Sequence, residues 1–456
     1  MKSTFPCFLT LLLAPLAALA QDSVTKPSSE RAAFFEEKVV WQNKEENAWP
    51  YHVYGLVQSS KGALLAFAEG RQGKGGDADP HHLVLKRSTD GGRNWSRNIY
   101  VEKGDGSFWS ANGEPGKLEC WTNTGPIVDE KTGRVFFFYA LNEGTRQQNW
   151  TRVFYRYSDD DGLTWLPSSE EGGRIEVTHL FADNPHGWTF HMPGPGHGIQ
   201  LRHQQGKHAD KNGRLMLAVW HRRAVTANPR LYGVSMLVSD DHGETWRRAG
   251  DAGVEHGMNE GRIVELEDGR ILLNTRGGVA VRDGKKVDTQ KHRVYAWSND
   301  AGETFGKPEV HTEFEYSRNG CDSSIQRYTT TTQNRKNILL FSRPADPRQR
   351  ARMTVSLSSD EGKTWSTQKL VHDGPSFYSD LAVLPDGTIG LLYGKGKSPH
   401  EQLPDHVAFA HFNLEWLEQP RDSPSPSTPR KNRSWHHWNS RPVSDGEDVS
   451  AIQRRP

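Results

Sequence analysis

Ser88-Thr89-Asp90-Gly91-Gly92-Arg93-Asn94-Trp95 is the first of five stretches that share one pattern, Ser-x-Asp-x-Gly-x-x-aromatic. The pattern returns at Ser158, Asp160, Gly162 and Trp165, and again at Ser239, Asp241, Gly243 and Trp246. The last two copies are Ser298, Asp300, Gly302 and Phe305, then Ser358, Asp360, Gly362 and Trp365. Each follows an apolar or alternating run, such as Leu83-Val84-Leu85 or Met353-Thr354-Val355. The residue types describe a hairpin turn. Asp bonds back to nearby N–H groups, Gly accepts a positive φ, Ser bonds locally, and the aromatic packs beneath. These residues hold turns and perform no chemistry. Starts 70, 81, 59 and 60 residues apart predict small antiparallel sheets repeated radially, a β-propeller, which leaves few free sheet edges.

Composition points the same way. The 456 residues include 44 Gly, 25 Pro and 15 Trp and are 34% hydrophobic, which favours many strands joined by turns over long helices. With 57 basic and 56 acidic residues the formal charge is +1, so nothing marks a nucleic-acid surface. Residues 1–20 read as a secretory signal: Lys2, an apolar core from Phe8 to Leu19, and Ala18-Leu19-Ala20 before Gln21. Beyond it no apolar run reaches the roughly 18 residues of a membrane span. The expected product is secreted, extracellular or periplasmic, or lysosomal in a eukaryote. A flexible leader follows over 21–32, the propeller over 33–418, and a Pro-, Ser- and Arg-rich tail over 419–456. Cys7 leaves with the signal, and Cys120 and Cys321 read as buried thiols. Asn94, Asn149 and Asn432 stand in glycosylation acceptor patterns. His81-His82 and His436-His437 lack acidic partners at metal-ligand spacing, and no glycine-rich loop opens a helix. Neither a metal nor a cofactor is expected.

The repeat resembles the Asp box of the sialidase superfamily. Longer stretches carry the likeness further: Leu64-Leu65-Ala66-Phe67-Ala68-Glu69-Gly70-Arg71, Pro126-Ile127-Val128-Asp129-Glu130, Gly194-Pro195-Gly196-His197-Gly198, Asn259-Glu260-Gly261-Arg262 and Tyr378-Ser379-Asp380-Leu381. The resemblance covers roughly residues 38–397. It implies an all-β, six-bladed propeller in which five boxes mark five blades. The chain ends would close the sixth, with strands near Val39 and Leu381.

A 2-keto sugar acid carries a carboxylate on its anomeric carbon, and that charge repels a carboxylate nucleophile. A tyrosine avoids the repulsion but needs a neighbouring base, and sialidases are known Tyr-nucleophile exceptions among glycosidases. By the resemblance Tyr378 is the nucleophile and Glu260 its base. The general acid lies on a mobile loop after the first-blade strand. Here that loop is residues 72–80, with Gly73, Gly75 and Gly76 for flexibility and Asp77 favoured over Asp79. Arginine suits the substrate carboxylate because its planar fork bonds both oxygens. Arg276 and Arg350 match two clamp arginines, with Arg348 and Arg352 as alternative registers for the latter, and Arg71 matches a further pocket arginine.

Two positions depart from the pattern. The family's first clamp arginine falls at His52, and the glutamate that buttresses it falls at Gly394. A paired loss reads as a consistent change, because either charge alone would be costly to bury. Three consequences are open. His52 donates a hydrogen bond to the carboxylate, more strongly when protonated; or the space near Gly394 admits another 2-keto sugar acid; or catalysis is lost. The implied activity is release of terminal sialic acid, or a related keto-sugar acid, from acidic glycans with retention. The alternatives are the same fold acting on a deaminated sialic acid or a wall keto-sugar acid, and a non-catalytic glycan-binding propeller.

Overall fold

The computed structural model describes residues 31–420 apart from 144–149, 169–172, 225–230, 254–256, 283–284, 317–319, 334 and 399–402. The expected signal, most of the leader and all but two residues of the tail lie outside the described residues, as do Asn149, Asn432 and His436-His437. The described chain is built from 26 strands, with α-helices only at Ser107–Ala111 and Leu414–Leu417. No helix among the described residues is long and apolar enough to cross a membrane.

Strand neighbours are mostly consecutive in sequence and every strand pair is antiparallel, as local hairpins require. Tyr51–Gln58, Leu64–Arg71, His81–Ser88 and Ile99–Glu102 form one four-stranded sheet. Trp121–Val128, Val135–Asn142, Thr151–Ser158 and Ile175–Glu176 form the next. Phe190–Pro193 and Ile199–Gln200 share the edge of Leu215–Arg222, followed by Tyr232–Ser239 and Arg247–Ala252. Gly261–Glu265, Ile271–Arg276, Arg293–Ser298 and Glu309–His311 make a further sheet, beside a two-stranded ribbon.

The propeller architecture is as expected, but six separate blades are not what the strands form. Four sheets have blade dimensions, and the remainder is one continuous seven-stranded sheet. The cause is Thr367–Val383, a single strand of 17 residues. Its first half pairs with Ala351–Ser358 and its second with Ile389–Lys395, so one ladder spans both. Val39 and Leu381 lie in this sheet, where Phe35–Gln42 pairs with His406–Phe412 and ties the two ends of the fold together. The inner strand of each sheet contacts the next, and Thr367–Val383 contacts Tyr51–Gln58 to complete the ring.

The five repeated turns share one geometry. In each, the Ser Oγ donates to the Asp Oδ1 at 2.8 Å and accepts from the Gly N–H at 2.8–2.9 Å. The same Asp holds the N–H four residues after the Ser-Asp pair begins to turn, as Asp160 Oδ1 holds Thr164 N at 2.9 Å. The residue before each Gly also has positive φ, from Gly91 at 74° to Ala301 at 57°. The glycine is required for contact as well as for φ: a Cβ on Gly243 would lie 2.0 Å from the Phe136 ring. The aromatics lock sheets together. Trp95 packs edge-on against Phe409, Trp165 against Phe67 and Trp246 against Phe138. Asn94 is part of its turn, because its side-chain amide donates to Asp90.

One buried carboxylate organises the axis. Asp380 accepts from Leu56 N (2.8 Å), His197 N (3.2 Å), His197 Nδ1 (2.8 Å), Ser324 Oγ (2.9 Å) and Leu381 N (3.1 Å). Burial alone would raise its pKa, but His197, Arg262 and these hydrogen bonds outweigh burial and bring it down to about 2. Arg262 Nη2 lies 2.8 Å from the buried Asp322, whose carboxyl burial pushes up to about 7. Strands from three sheets and the loop that carries His197 therefore meet at Asp380. Asp380→Asn should lower unfolding stability by about 3–5 kcal/mol, because Arg262 loses its balancing charge. Asp241→Ala, at an exposed turn, should cost about 1 kcal/mol. Chemical denaturation of both variants checks this ranking; equal losses would contradict it.

Candidate active site

Four register slips lie close to the residues singled out above. Register slips between His52 and Tyr54, between Thr122 and Gly125, between Ala351 and Met353, and between Ser376 and Ser379. Bulges re-aim side chains and are found next to functional sites. Val53, at φ 55°, and Arg352, at φ 66°, mark two of them. His52 and Tyr378 each stand at such a break and meet there, their rings 4.6 Å apart.

Glu260 and Arg276 are brought together by strand pairing. Gly261 opposes Thr275, and the ladder runs one step further through Arg276 N to Glu260 O at 2.8 Å. The side chains of that last pair form an ion pair, Arg276 Nη1 to Glu260 Oε2, at 2.9 Å. Tyr378 Oη donates to Glu260 Oε1 at 2.5 Å and accepts from Arg276 Nη1 at 3.1 Å. Burial and the Glu260 charge hold the phenol well above its ordinary pKa, with Arg276 and Arg350 opposing. Arg350 lies over the Tyr378 ring at 5.7 Å and donates to Gly320 O at 3.2 Å. The alternative registers fall elsewhere: Arg352 pairs with Asp373 in an exposed position, and the Arg348 backbone caps Asp346.

Arg71 and Asp77 form a second cluster. The buried Arg71 is gripped by Glu69 at 2.7 Å and reaches Asp77 Oδ1 at 2.9 Å. Glu69 also accepts from Thr122 Oγ1 at 2.6 Å and Asn123 N at 2.8 Å, which fixes the guanidinium. The Asp77 side chain is 96% exposed, and Arg71 beside it brings its carboxyl down to about 2. Asp79 turns inward instead and accepts from Gly76 N at 2.9 Å and Lys74 N at 3.1 Å. Gly75 serves fit: a Cβ on it, at φ 74°, would lie 2.4 Å from Pro50 Cδ.

The expected behaviour of His52 and Gly394 is corrected. Burial, then the charges of Arg71 and Arg350, hold His52 well below its ordinary pKa, which disfavours the protonated ring. Among the described residues its buried Nδ1 has no hydrogen-bond partner. The space at Gly394 is not vacant. A Cβ there would meet Tyr54 Oη at 2.6 Å, Pro404 Cβ at 3.0 Å and Phe377 Cβ at 3.1 Å. Tyr54 thus fills the buttress position. Sequence reasoning missed it, although it stands two residues after His52. Glu69 was also legible only as part of a matching strand.

Cys120 and Cys321 are free and buried, and burial pushes both thiols up, Cys321 to about 11. Among the described residues no group of His, Cys, Asp or Glu is arranged to hold a metal ion. A cavity of about 770 Å³ opens at the other end of the ring, lined by Gln58, Glu265, Tyr328 and Leu384, away from these clusters.

Residues 62–391 match the BNR repeat-like domain model. A sialidase of Micromonospora viridifaciens is 32% identical over 431 residues, covering 90% of this chain and 60% of that protein. A sialidase of Bacteroides fragilis strain YCH46 is 27% identical over 372 residues, covering 76% of this chain and 60% of that protein. The chain therefore spans 60% of the length of each of these relatives. Among solved structures, the Hadza microbial sialidase Hz136 superposes with a TM-score of 0.67 at 25% identity, over 84% of this chain and 69% of that one.

The His52 ring should titrate below the ordinary imidazole range, because burial and the charges of Arg71 and Arg350 depress its pKa. Imidazole NMR shifts, assigned with His52→Gln, check this; a midpoint near 6.5 would contradict it.

Proposed function

The chain belongs to the sialidase family of BNR-repeat proteins, and on that footing we propose that it is a retaining exo-glycosidase. Its substrate is a glycan ending in an α-linked 2-keto sugar acid, sialic acid first among them. The observation that carries this reading is the Tyr378–Glu260 contact, bracketed by Arg276. A phenol bonded to a carboxylate is a nucleophile beside its base, the arrangement an anionic anomeric centre calls for.

Arg276 and Arg350 hold the substrate carboxylate, and Arg71 completes the cationic wall. Asp77 protonates the leaving oxygen while Tyr378 attacks the anomeric carbon and Glu260 takes the phenolic proton. Asp77, again ionised, then draws a proton from water, which attacks the anomeric carbon and releases the sugar from Tyr378 as Glu260 returns its proton to the phenolic oxygen. Arg71 favours the ionised acid needed for that second step, so Asp77 gains its proton as substrate covers it and shields it from solvent. The reaction needs no cofactor. The apolar signal-like stretch over residues 1–20 supports secretion, where such glycans are met.

A second reading is favoured by His52, Tyr54 and Gly394. With a neutral ring and a phenol where the family has an Arg–Glu pair, carboxylate binding loses one charge-assisted hydrogen bond of about 1.5–3 kcal/mol. A pocket altered this way suits a different 2-keto sugar acid. Glycosides of sialic acid, its deaminated form and wall keto-sugar acids, compared by kcat/KM, separate the two readings.

Tyr378→Phe should reduce hydrolysis of the best of these substrates by about 10³-fold or more while the melting temperature holds. Undiminished turnover would overturn the mechanism, and no turnover by the unaltered protein on any of them would favour a glycan-binding propeller. Binding of a carboxylate-bearing, non-hydrolysable sugar acid that covers Asp77 should take up protons near pH 5. Calorimetry in buffers of different ionisation enthalpy measures this; proton release would contradict it.

A further inference from the structure

Three consecutive backbone carbonyls of the Asp77 loop are held by three different buried side chains. Arg71 Nη1 donates to Gly75 O at 2.9 Å, and His81 Nε2 donates to Gly76 O at 2.9 Å. Cys120 Sγ donates to Asp77 O at 3.6 Å. Gln72 N closes the loop on Pro80 O at 2.9 Å, and Asp79 caps it from within. A glycine-rich loop on a propeller rim has no intrinsic reason to keep one conformation. Here the backbone on both sides of Asp77 is anchored from below.

His81 is the central anchor. It is fully buried, at the start of His81–Ser88, where its own N–H bonds Glu119 O at 3.0 Å. Gly76 O is only an acceptor, so Nε2 carries the hydrogen. Nδ1 then faces Glu69 Oε2 at 3.6 Å and Cys120 Sγ at 3.8 Å. His81 therefore touches the acid loop, the carboxylate that grips Arg71, and the thiol beneath Asp77. It reaches no rim surface itself.

We propose that His81 is a positioning residue for the general acid: through Gly76 O, with Cys120 alongside, it fixes where the Asp77 carboxyl stands relative to the leaving-group oxygen. This rests on the reading of Asp77 as that acid. A residue acting through Asp77 matters where the leaving group needs a proton and matters little where it departs unaided.

The test compares alkyl and 4-nitrophenyl glycosides of the 2-keto sugar acid that the enzyme turns over best. His81→Leu removes the donor at similar volume. It should lower kcat on the alkyl glycoside by at least about tenfold more than on the nitrophenyl glycoside. His81→Gln, whose amide reaches the Nε2 position, should restore the ratio. Equal losses on both substrates, or a ratio that Gln does not restore, would overturn the proposal. If His81→Leu does not fold, Cys120→Ala reads the same ratio, and an unchanged ratio there overturns it equally. Asp77→Ala keeps the two readings apart. If it shows no leaving-group dependence, Asp77 is not the acid and both fall. If Asp77→Ala shows the dependence and His81→Leu does not, only the positioning role falls.

Discussion

The Asp380 carboxylate is the interaction on which the rest of the structure depends. A ring of separate sheets has no covalent reason to hold its inner strands in register, and apolar packing between sheets tolerates sliding. Asp380 removes that freedom by accepting from Leu56 and His197 backbone N–H groups and from the Ser324 hydroxyl. Arg262, 3.7 Å away, carries the counter-charge and hands it on to Asp322. Tyr378 lies two residues before Asp380, and Glu260 two residues before Arg262. The buried ionic axis therefore fixes the same two strands that present the phenol and its base at the rim. Such a network contributes little net stability when complete and costs much when broken, so its role is to define position.

Above the axis, charge is segregated. Tyr378, Glu260 and Arg276 form a compact triad joined by three hydrogen bonds. Across the rim, Glu69 orients Arg71, and Arg71 holds Asp77 ionised. The neutral His52 ring lies against Tyr378 and feels both clusters. Burial and two flanking arginines keep it uncharged, and Tyr54 rather than a carboxylate stands behind it. A charged pair has been exchanged for an uncharged, packed one, which avoids leaving either charge alone in a dry site.

Much of this was legible in the sequence, for physical reasons. The five turns announce themselves because each needs a particular residue at each φ and hydrogen bond, so the pattern cannot drift. Glu260 and Arg276 were legible from their motifs, and strand register explains why they meet. Arg350 lies over Tyr378 and Arg71 meets Asp77, all residues that the motifs singled out. What escaped depends on non-local contact. Thr367–Val383 runs as one strand through Asp373-Gly374-Pro375, residues that would be read as a turn, and so joins what the repeat spacing would divide. The space at Gly394 looked vacant because Tyr54 reaches it from a distant strand. The loop glycines looked like flexibility, whereas Gly75 is glycine because Pro50 leaves no room for a Cβ.

The account's central claim is that Tyr378 attacks the sugar, with Glu260 as its base. The most direct measurement uses a 2-keto sugar acid with fluorine next to the anomeric carbon and fluoride as leaving group. This combination slows release of a covalent intermediate more than its formation. Intact-mass analysis followed by peptide fragmentation then locates the sugar. The account predicts one sugar per chain, on Tyr378, lost again on prolonged incubation. A sugar on any other residue, or steady turnover of this compound with Tyr378 unmodified throughout, would contradict it.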